Sequence, residues 1–348
     1  MNKIIFLIIM VFSSGMFGQK SRLHISIDER VETVYSIAFL ADYSLINSHD
    51  HLYKQALKEK YAALKNHKAV ALFDSLSNKK GFNGYKIVDW ALQFDRFPAL
   101  NIINKPAETY DFVKNDRNNL LGDFKKELIL FHQDSLFQEY RKEMQEADQK
   151  VIRQVENSPH IQELPSYLEQ YYGGKLNSYH LILSPFLHTG GFNSEMITPN
   201  GQKQVFALVG PNGEIDFYPY FDRDYIETDM ILHEFGHSFV NPITQKNEKE
   251  IEILKEKYYN KTLQKTGKQQ GYGNWYDVFN ELLLRATTLR ITETHFGKDK
   301  SRELLEFEKS AGFGLVEDIA VILKEYEQNR KKYPTFEKFF PVLIEKMR

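Results

Sequence analysis

The residues with the clearest chemical potential are His233, Glu234 and His237, in the run Ile231-Leu232-His233-Glu234-Phe235-Gly236-His237. On a helix, residues four apart share a face. His233 and His237 would then offer two imidazoles to one metal ion, with Glu234 beside the first. Zinc accepts such nitrogen ligands, and its catalytic sites use three protein ligands and keep a position for water. Glu234 would take the proton of that water and return it to the leaving group. The spacing is that of a His-Glu-x-x-His zinc hydrolase, and the chemistry it predicts is hydrolysis.

A third ligand is required, and Glu281 is the leading candidate. It sits in Val278-Phe279-Asn280-Glu281-Leu282-Leu283-Leu284-Arg285-Ala286, a strongly apolar helical segment. A free carboxylate there would be costly, and a metal partner would explain its placement. An ion pair with Arg285 one turn later is the plainer explanation. His295 ranks next as a ligand, followed by Glu248, Glu250 and Glu252, whose surroundings predict a solvated helix face. Asp277 and Arg285, four residues on either side of Glu281, are candidates for orienting the ligands, as is Asn280. Tyr272 and Tyr276, or Tyr218 and Tyr220 ahead of the metal helix, are candidate donors to a developing oxyanion. His180 and His188 lack a comparable spacing. His188 beside Gly190-Gly191 reads as an ordinary loop histidine.

These groups need elements to hold them. The metal helix is expected from Asp224 or Tyr225 to Val240, stopped by Asn241-Pro242 because proline cannot donate the next backbone bond. Gly236 costs helix propensity, so its presence points to close packing or to metal-site geometry. Ahead of this helix, residues 178–184 read as a strand and Gly190-Gly191 as part of a loop. Residues 203–209 and 215–219 flank Gly210-Pro211-Asn212-Gly213, a hairpin signal. The 203–209 strand would offer an exposed edge to an extended substrate. Beyond Pro242 the pattern is helical at 247–266, 275–296, 300–309, 313–330 and 335–347. The N-terminal half carries no motif that assigns an activity. A first strand is expected at 23–29, a helix at 31–43, mainly helix from 51 to 95, and one long helix from Asp123 to about Glu156. A shorter helix follows at 163–172.

The chain as a whole sets bounds. It has 348 residues, 42% of them hydrophobic, and can bury a substantial core. A formal net charge of -2 gives no basic excess for nucleic acid. There is no cysteine, which excludes disulfides, thiolate ligands and cysteine nucleophiles. Lys3 followed by the apolar run 4–12 reads as a cleavable signal peptide ending near Gly18, too short to span a membrane comfortably. The expected organisation is a signal at 1–18, a mainly helical N-terminal region at 19–175, and a metal-binding region at 176–348 whose C-terminal part is helical. The mature protein is expected to be exported, periplasmic or secreted and bacterial in source, with no stable membrane insertion after signal cleavage.

His233 through His237, their apolar flanks and a downstream glutamate on another helix resemble the zincin metallopeptidases, and the glutamate resembles the gluzincin branch. The chain is also similar to an uncharacterised family of exported bacterial proteins, in the glycine loop at 189–192, the metal helix ending at Asn241-Pro242, and Asn280-Glu281 with Arg285-Ala286. The resemblance implies an α+β, zincin-like fold: a mixed sheet against a His-Glu-x-x-His helix, with a largely helical remainder. It implies Zn2+ held by His233, His237 and Glu281, water activated by Glu234, and a peptide or protein substrate, which includes cell-wall peptide. The chain departs from metzincins, which place a glycine and third histidine soon after the first pair. The alternatives are a zinc hydrolase of cell-wall amide bonds and a noncatalytic scaffold that keeps the fold.

Overall fold

Strands buried on both faces read as continuous apolar runs, and 178–183 and 203–209 have that character. In the computed structural model they are the centre of a mixed sheet. The structure describes residues 23–46, 48–106, 113, 116 and 118–348. The expected signal segment 1–18 lies outside the described residues. The sheet contains β1 (Leu23–Ser26), β2 (Lys105–Pro106), β3 (Ser178–Leu183), β4 (Gly191–Ile197) and β5 (Lys203–Val209), in the order β1-β3-β5-β4-β2. The β1-β3 and β3-β5 pairs are parallel; β5-β4 and β4-β2 are antiparallel. The fold is α+β, with helices on both faces of this sheet.

Side-chain alternation divides two cores across the sheet. Ile182, Met196, Phe206 and Leu208 face α1 (Glu29–Leu40), α2 (Leu52–Glu59), α3 (Lys68–Lys80), α4 (Tyr85–Leu92) and α5 (Leu120–Gln133). Tyr179, Leu181, Leu183, Val205, Ala207 and Val209 face the other core. That second core holds α7 (Leu164–Tyr172), α8 (Ile231–Lys246) and the helices that follow it. Between them α6 (Ser135–Glu156) gives Phe137, Tyr140, Met144 and Ala147 to the first core and Val151 and Val155 to the second. The expected N-terminal region thus supplies both outer strands of the central sheet, β1 and β2, and α6 joins the two cores. Among the described residues, no helix is long and apolar enough to cross a membrane.

Several local expectations are corrected. The single helix expected from 123 to 156 is broken at Asp134, whose extended backbone ends α5. Its carboxylate accepts from Leu136 N at 2.8 Å and caps α6. Gly191 does not lie in a loop; it begins β4. That strand carries polar residues on both faces, and the buried Ser194 hydroxyl donates to Asp89 of α4. Strand β5 lies inside the sheet between β3 and β4, so 203–209 offers no free edge. The hairpin is also displaced: it joins β6 (Gly213–Ile215) to β7 (Tyr218–Tyr220) through Asp216 and Phe217, both at positive φ. Two positive φ values in the turn match the right-handed twist of the flanking strands.

The metal helix does not stop at Asn241-Pro242. Helix α8 continues to Lys246 with Pro242 inside it. Proline removes the bond that residue 242 would give to the Ser238 carbonyl. Lys203 of β5 fills that place, its Nζ donating to Ser238 O at 3.4 Å while lying 2.8 Å from Glu195 Oε1 of β4. A tertiary donor thus overrides a local stop signal.

This substitution of donors is testable. Lys203→Met should lower stability by about 1 kcal/mol, because a carbonyl and a carboxylate lose one partly exposed charged donor. Adding Pro242→Ala should recover part of that loss by restoring the backbone donor. Urea denaturation of both variants measures it; a Lys203→Met protein as stable as wild type would contradict the account.

Candidate metal centre

The centre forms where α8 crosses α12 (Trp275–Phe296). Between them in the chain come α9 (Glu248–Ile253), α10 (Lys255–Tyr258) and α11 (Lys261–Gln269). Gly236 permits the crossing: a Cβ there would lie 2.7 Å from Leu284 Cδ1 and 3.2 Å from the Tyr172 hydroxyl. Ahead of α8, Asp222 caps a short turn at Arg223–Tyr225, and a wider π turn spans Ile226–Met230. Such π turns are frequent at functional sites. Here Thr292 of α12 donates to the Thr228 carbonyl, which ties the widened turn to the facing helix.

The ligand candidates converge across this crossing. His233 Nε2 lies 3.4 Å from Glu281 Oε2, and His237 Nε2 lies 3.5 Å from Glu281 Oε1. One ligand atom from each of the three residues falls within 4.8 Å of the others. Glu281 Oε2 is buried and accepts no hydrogen bond, although Arg285 Nε is 3.8 Å away. Burial pushes the His233 imidazole down to about 4, so it is neutral and keeps a lone pair. Burial alone would raise Glu281, but His233, His237 and Arg285 outweigh it and hold the carboxyl well below the usual range. Two imidazoles and one anionic carboxylate suit a divalent cation such as zinc. The donor set and the orphaned carboxylate oxygen both fit a metal.

A network of amides orients His237. Its Nδ1 donates to Asn241 Oδ1 at 3.2 Å, which leaves Nε2 with the lone pair that faces Glu281. Asn280 Nδ2 donates to the same Asn241 oxygen at 2.8 Å, and Thr244 Oγ1 donates to Asn280 Oδ1 at 2.9 Å. The Tyr276 hydroxyl lies 3.2 Å from that of Thr244. Asn280 therefore acts in the ligand support, and Tyr276 belongs to the same chain of groups. Arg285 leans over Glu281 but gives its two hydrogen bonds to Glu308 of α13 (Lys298–Ser310), at 2.9 and 2.7 Å. Its guanidinium also sits 4.4 Å from the centre of the Phe313 ring.

Glu234 is buried directly under β4. A Cβ on Gly191 would come within 2.9 Å of Glu234 Oε1, so a glycine is needed for the strand to pass over that carboxylate. Burial first, then Glu281 and Asp229, pushes Glu234 well above the ordinary carboxylate range. Tyr272 lies against Glu281 and Arg285, and its phenol is raised chiefly by burial. The other candidates go elsewhere. His295 stacks on Tyr167, with ring centres 3.6 Å apart, near the far end of α12. Glu248, Glu250 and Glu252 are exposed. Tyr218 is engaged by Lys150, and Asp277 accepts from Asn274 at the start of α12. His180 is stacked between His24 and Phe206 on the opposite sheet face. His188 lies in the loop ahead of Gly190.

Over residues 23–346 the chain matches the family model described as a domain of unknown function, DUF4932. The chain belongs to the DUF4932 family. No curated protein and no solved structure matches it. In this DUF4932 protein, reading the sequence left Asn241, Asp229, Glu308 and Gly191 out of the site. The one available signal was Asn241, four residues after His237 and so on the same helix face. Asp229 and Glu308 reach the site only through tertiary packing.

Two measurements follow from this geometry. Asn241→Ala should weaken zinc binding by about 10- to 100-fold, since an unsupported His237 loses its fixed tautomer. Competition against a chromogenic chelator reads this, and unchanged affinity would contradict it. Asp229 gives a pH signature. Burial, then Glu308, pushes its carboxyl from 3.8 up to about 7, against the pull of Arg285. A raised carboxyl stabilises fully below its unfolded value and loses that contribution as pH rises through the folded value. Metal-free Asp229→Asn should match wild-type stability near pH 4 and exceed it near pH 8, by on the order of a few kcal/mol. Parallel stability curves across that range would refute the assignment.

Proposed function

We propose that this DUF4932 protein is a zinc-dependent metallopeptidase that works outside the cytoplasm. The observation that carries the reading is the convergence of His233, His237 and Glu281 ligand atoms within 4.8 Å, with Glu234 next to the first histidine. A zinc ion held there would acidify a water and polarise the carbonyl of a substrate amide. The remaining steps belong to the chain's own residues.

Glu234 takes the proton of the attacking water and delivers it to the leaving nitrogen. Its burial beneath Gly191 raises its affinity for that proton, which suits a group that must hold it between the two events. His237 is kept in one tautomer by Asn241, so the geometry of the donor set is fixed before substrate arrives. Tyr272, beside Glu281 and Arg285, would donate its phenol proton in a hydrogen bond to the developing oxyanion. The first residue of strand β4 passes over Glu234 and so helps to wall the centre. The apolar run at 4–12 behind Lys3 supports export, to the periplasm or the medium.

The test separates metal binding from turnover. Wild type should bind about one zinc per chain and cleave an unstructured polypeptide or a cell-wall peptide. Glu234→Gln should keep the zinc and lose at least about 100-fold in turnover. Equal turnover in both proteins would refute the role of Glu234. Zinc binding without cleavage of either substrate would favour a noncatalytic scaffold.

A further inference from the structure

A second feature lies on the outside of the hairpin. A groove of about 500 Å³ runs between the C-terminal part of α6 and strand β7. Lys150, Arg153, Gln154 and Asn157 recur at helical spacing along its helix side, and Arg223 closes the end beyond β7. The groove is held open by a fixed floor. Gln154 Nε2 donates to Pro219 O at 3.2 Å, and Gln154 Oε1 accepts from Phe221 N at 3.0 Å. One side-chain amide thereby pairs with the β7 backbone much as a neighbouring strand would. Lys150 donates to the Tyr218 hydroxyl at 2.9 Å and lies 4.1 Å from that ring's centre.

The charge in this groove has one sign. Three cations line it and no carboxylate does. Glu146 only reaches Lys150 at 3.7 Å from the rim, and Arg153 and Arg223 make no ion pair among the described residues. Three of the nearby acids are engaged elsewhere. The Asp222 carboxylate caps the turn that follows, Asp224 pairs with Lys300 at 2.6 Å, and the charge of Glu214 acts on His49 and Lys54 on another side of the hairpin. In a chain of net charge -2, a groove lined by cations alone marks a local preference for anions. Its walls are also amphipathic, because Ile215, Tyr218 and Tyr220 stand between the cations. Ile215 is 55% exposed and Phe217, at the hairpin tip, is 67% exposed.

We propose that this groove binds an acidic polypeptide segment, with carboxylates on Lys150, Arg153 and Arg223 and apolar side chains on Ile215 and the tyrosines. Arginine forks match carboxylates in planar, two-bonded contacts, and tyrosine adds area at low entropic cost. Nucleic acid is a poorer fit, because a chain of net negative charge supplies only three cations here. An anionic membrane is disfavoured as well. A flat headgroup surface would meet Glu214 and Asp216, exposed beside Ile215 and Phe217, whereas a single peptide chain can lie in the groove, whose lining includes neither acid. The groove is independent of the catalytic reading, since it uses none of the residues of the metal centre.

The probe is a fluorescein-labelled peptide of alternating glutamate and leucine, followed by fluorescence anisotropy with the full mature chain. A glutamine-leucine peptide and vesicles containing phosphatidylglycerol serve as comparisons. The acidic peptide should bind at least about tenfold more tightly than the neutral one, and more weakly as salt rises from about 50 to about 300 mM. Arg153→Glu with Arg223→Glu should remove that preference; both side chains are exposed, and circular dichroism and melting check that the fold is kept. The milder pair Arg153→Gln and Arg223→Gln should give an intermediate loss. Equal binding of the two peptides, or charge-reversed protein that binds the acidic peptide as wild type does, would overturn the proposal. Arginine-dependent binding to the vesicles without binding to the acidic peptide would also overturn it, in favour of a membrane surface.

Discussion

The crossing of α8 and α12 is the constraint on which the rest of the centre depends. Two helices bring an i, i+4 histidine pair and a glutamate together only if their axes come close at one point. Gly236 supplies that point, with Leu284 and the Tyr172 hydroxyl filling the space a side chain would take. The same Tyr172 hydroxyl is 2.7 Å from Thr287 Oγ1, so polar groups at the crossing are satisfied as well as packed. On the other side of α8, Gly191 lets β4 run over Glu234. Helix α8 is thus clamped between a facing helix and a covering strand by positions that cannot carry a side chain without displacement. Lys203 completes the clamp by donating where Pro242 cannot.

Electrostatics explain why so costly an arrangement is held together. Glu234, Glu281, Asp229 and Glu308 are all buried, with Arg285 among them. Arg285 is fixed on Glu308 and therefore neutralises Glu281 only in part. Buried charges of one sign are costly unless protons or cations compensate. In the metal-free centre protons compensate in part, since burial raises Glu234 and Asp229, each adjacent to further acids. A bound divalent cation would lower Glu234 again and leave it able to take a proton. The anionic Glu281, with one oxygen left without a hydrogen bond, is the part that a divalent cation would satisfy. Folding and metal binding should therefore be linked at this site.

Much of the centre was legible because its logic is local. His233 and His237 follow helical spacing, and Glu281 stands out as a carboxylate within an apolar helix. The α+β class is what the zincin resemblance implies, and the mixed sheet among helices agrees with it. What escaped depends on distant partners. Nothing in the charged sequence of α13 distinguishes buried Glu308 from exposed Glu303 or Glu306; only Arg285 across the packing does. Strand β4 is hidden because Asn193, Ser194 and Glu195 are polar, and two of their partners, Ser238 and Asp89, lie far away in sequence. With β4 unseen, the sequence offers no neighbour for the outer side of β5, the side that β4 covers. Pro242 was read by a sound local rule that one lysine from the sheet overrides.

X-ray absorption at the zinc K edge of the zinc-loaded protein tests the central claim most directly, because it reports the ligands without any assumption about substrate. The account predicts one zinc site with two imidazoles, from His233 and His237, and oxygen donors that include Glu281. Glu281→Ala should lose an oxygen donor while both imidazoles remain. A zinc environment with no imidazole pair, or one unchanged by Glu281→Ala, would contradict it.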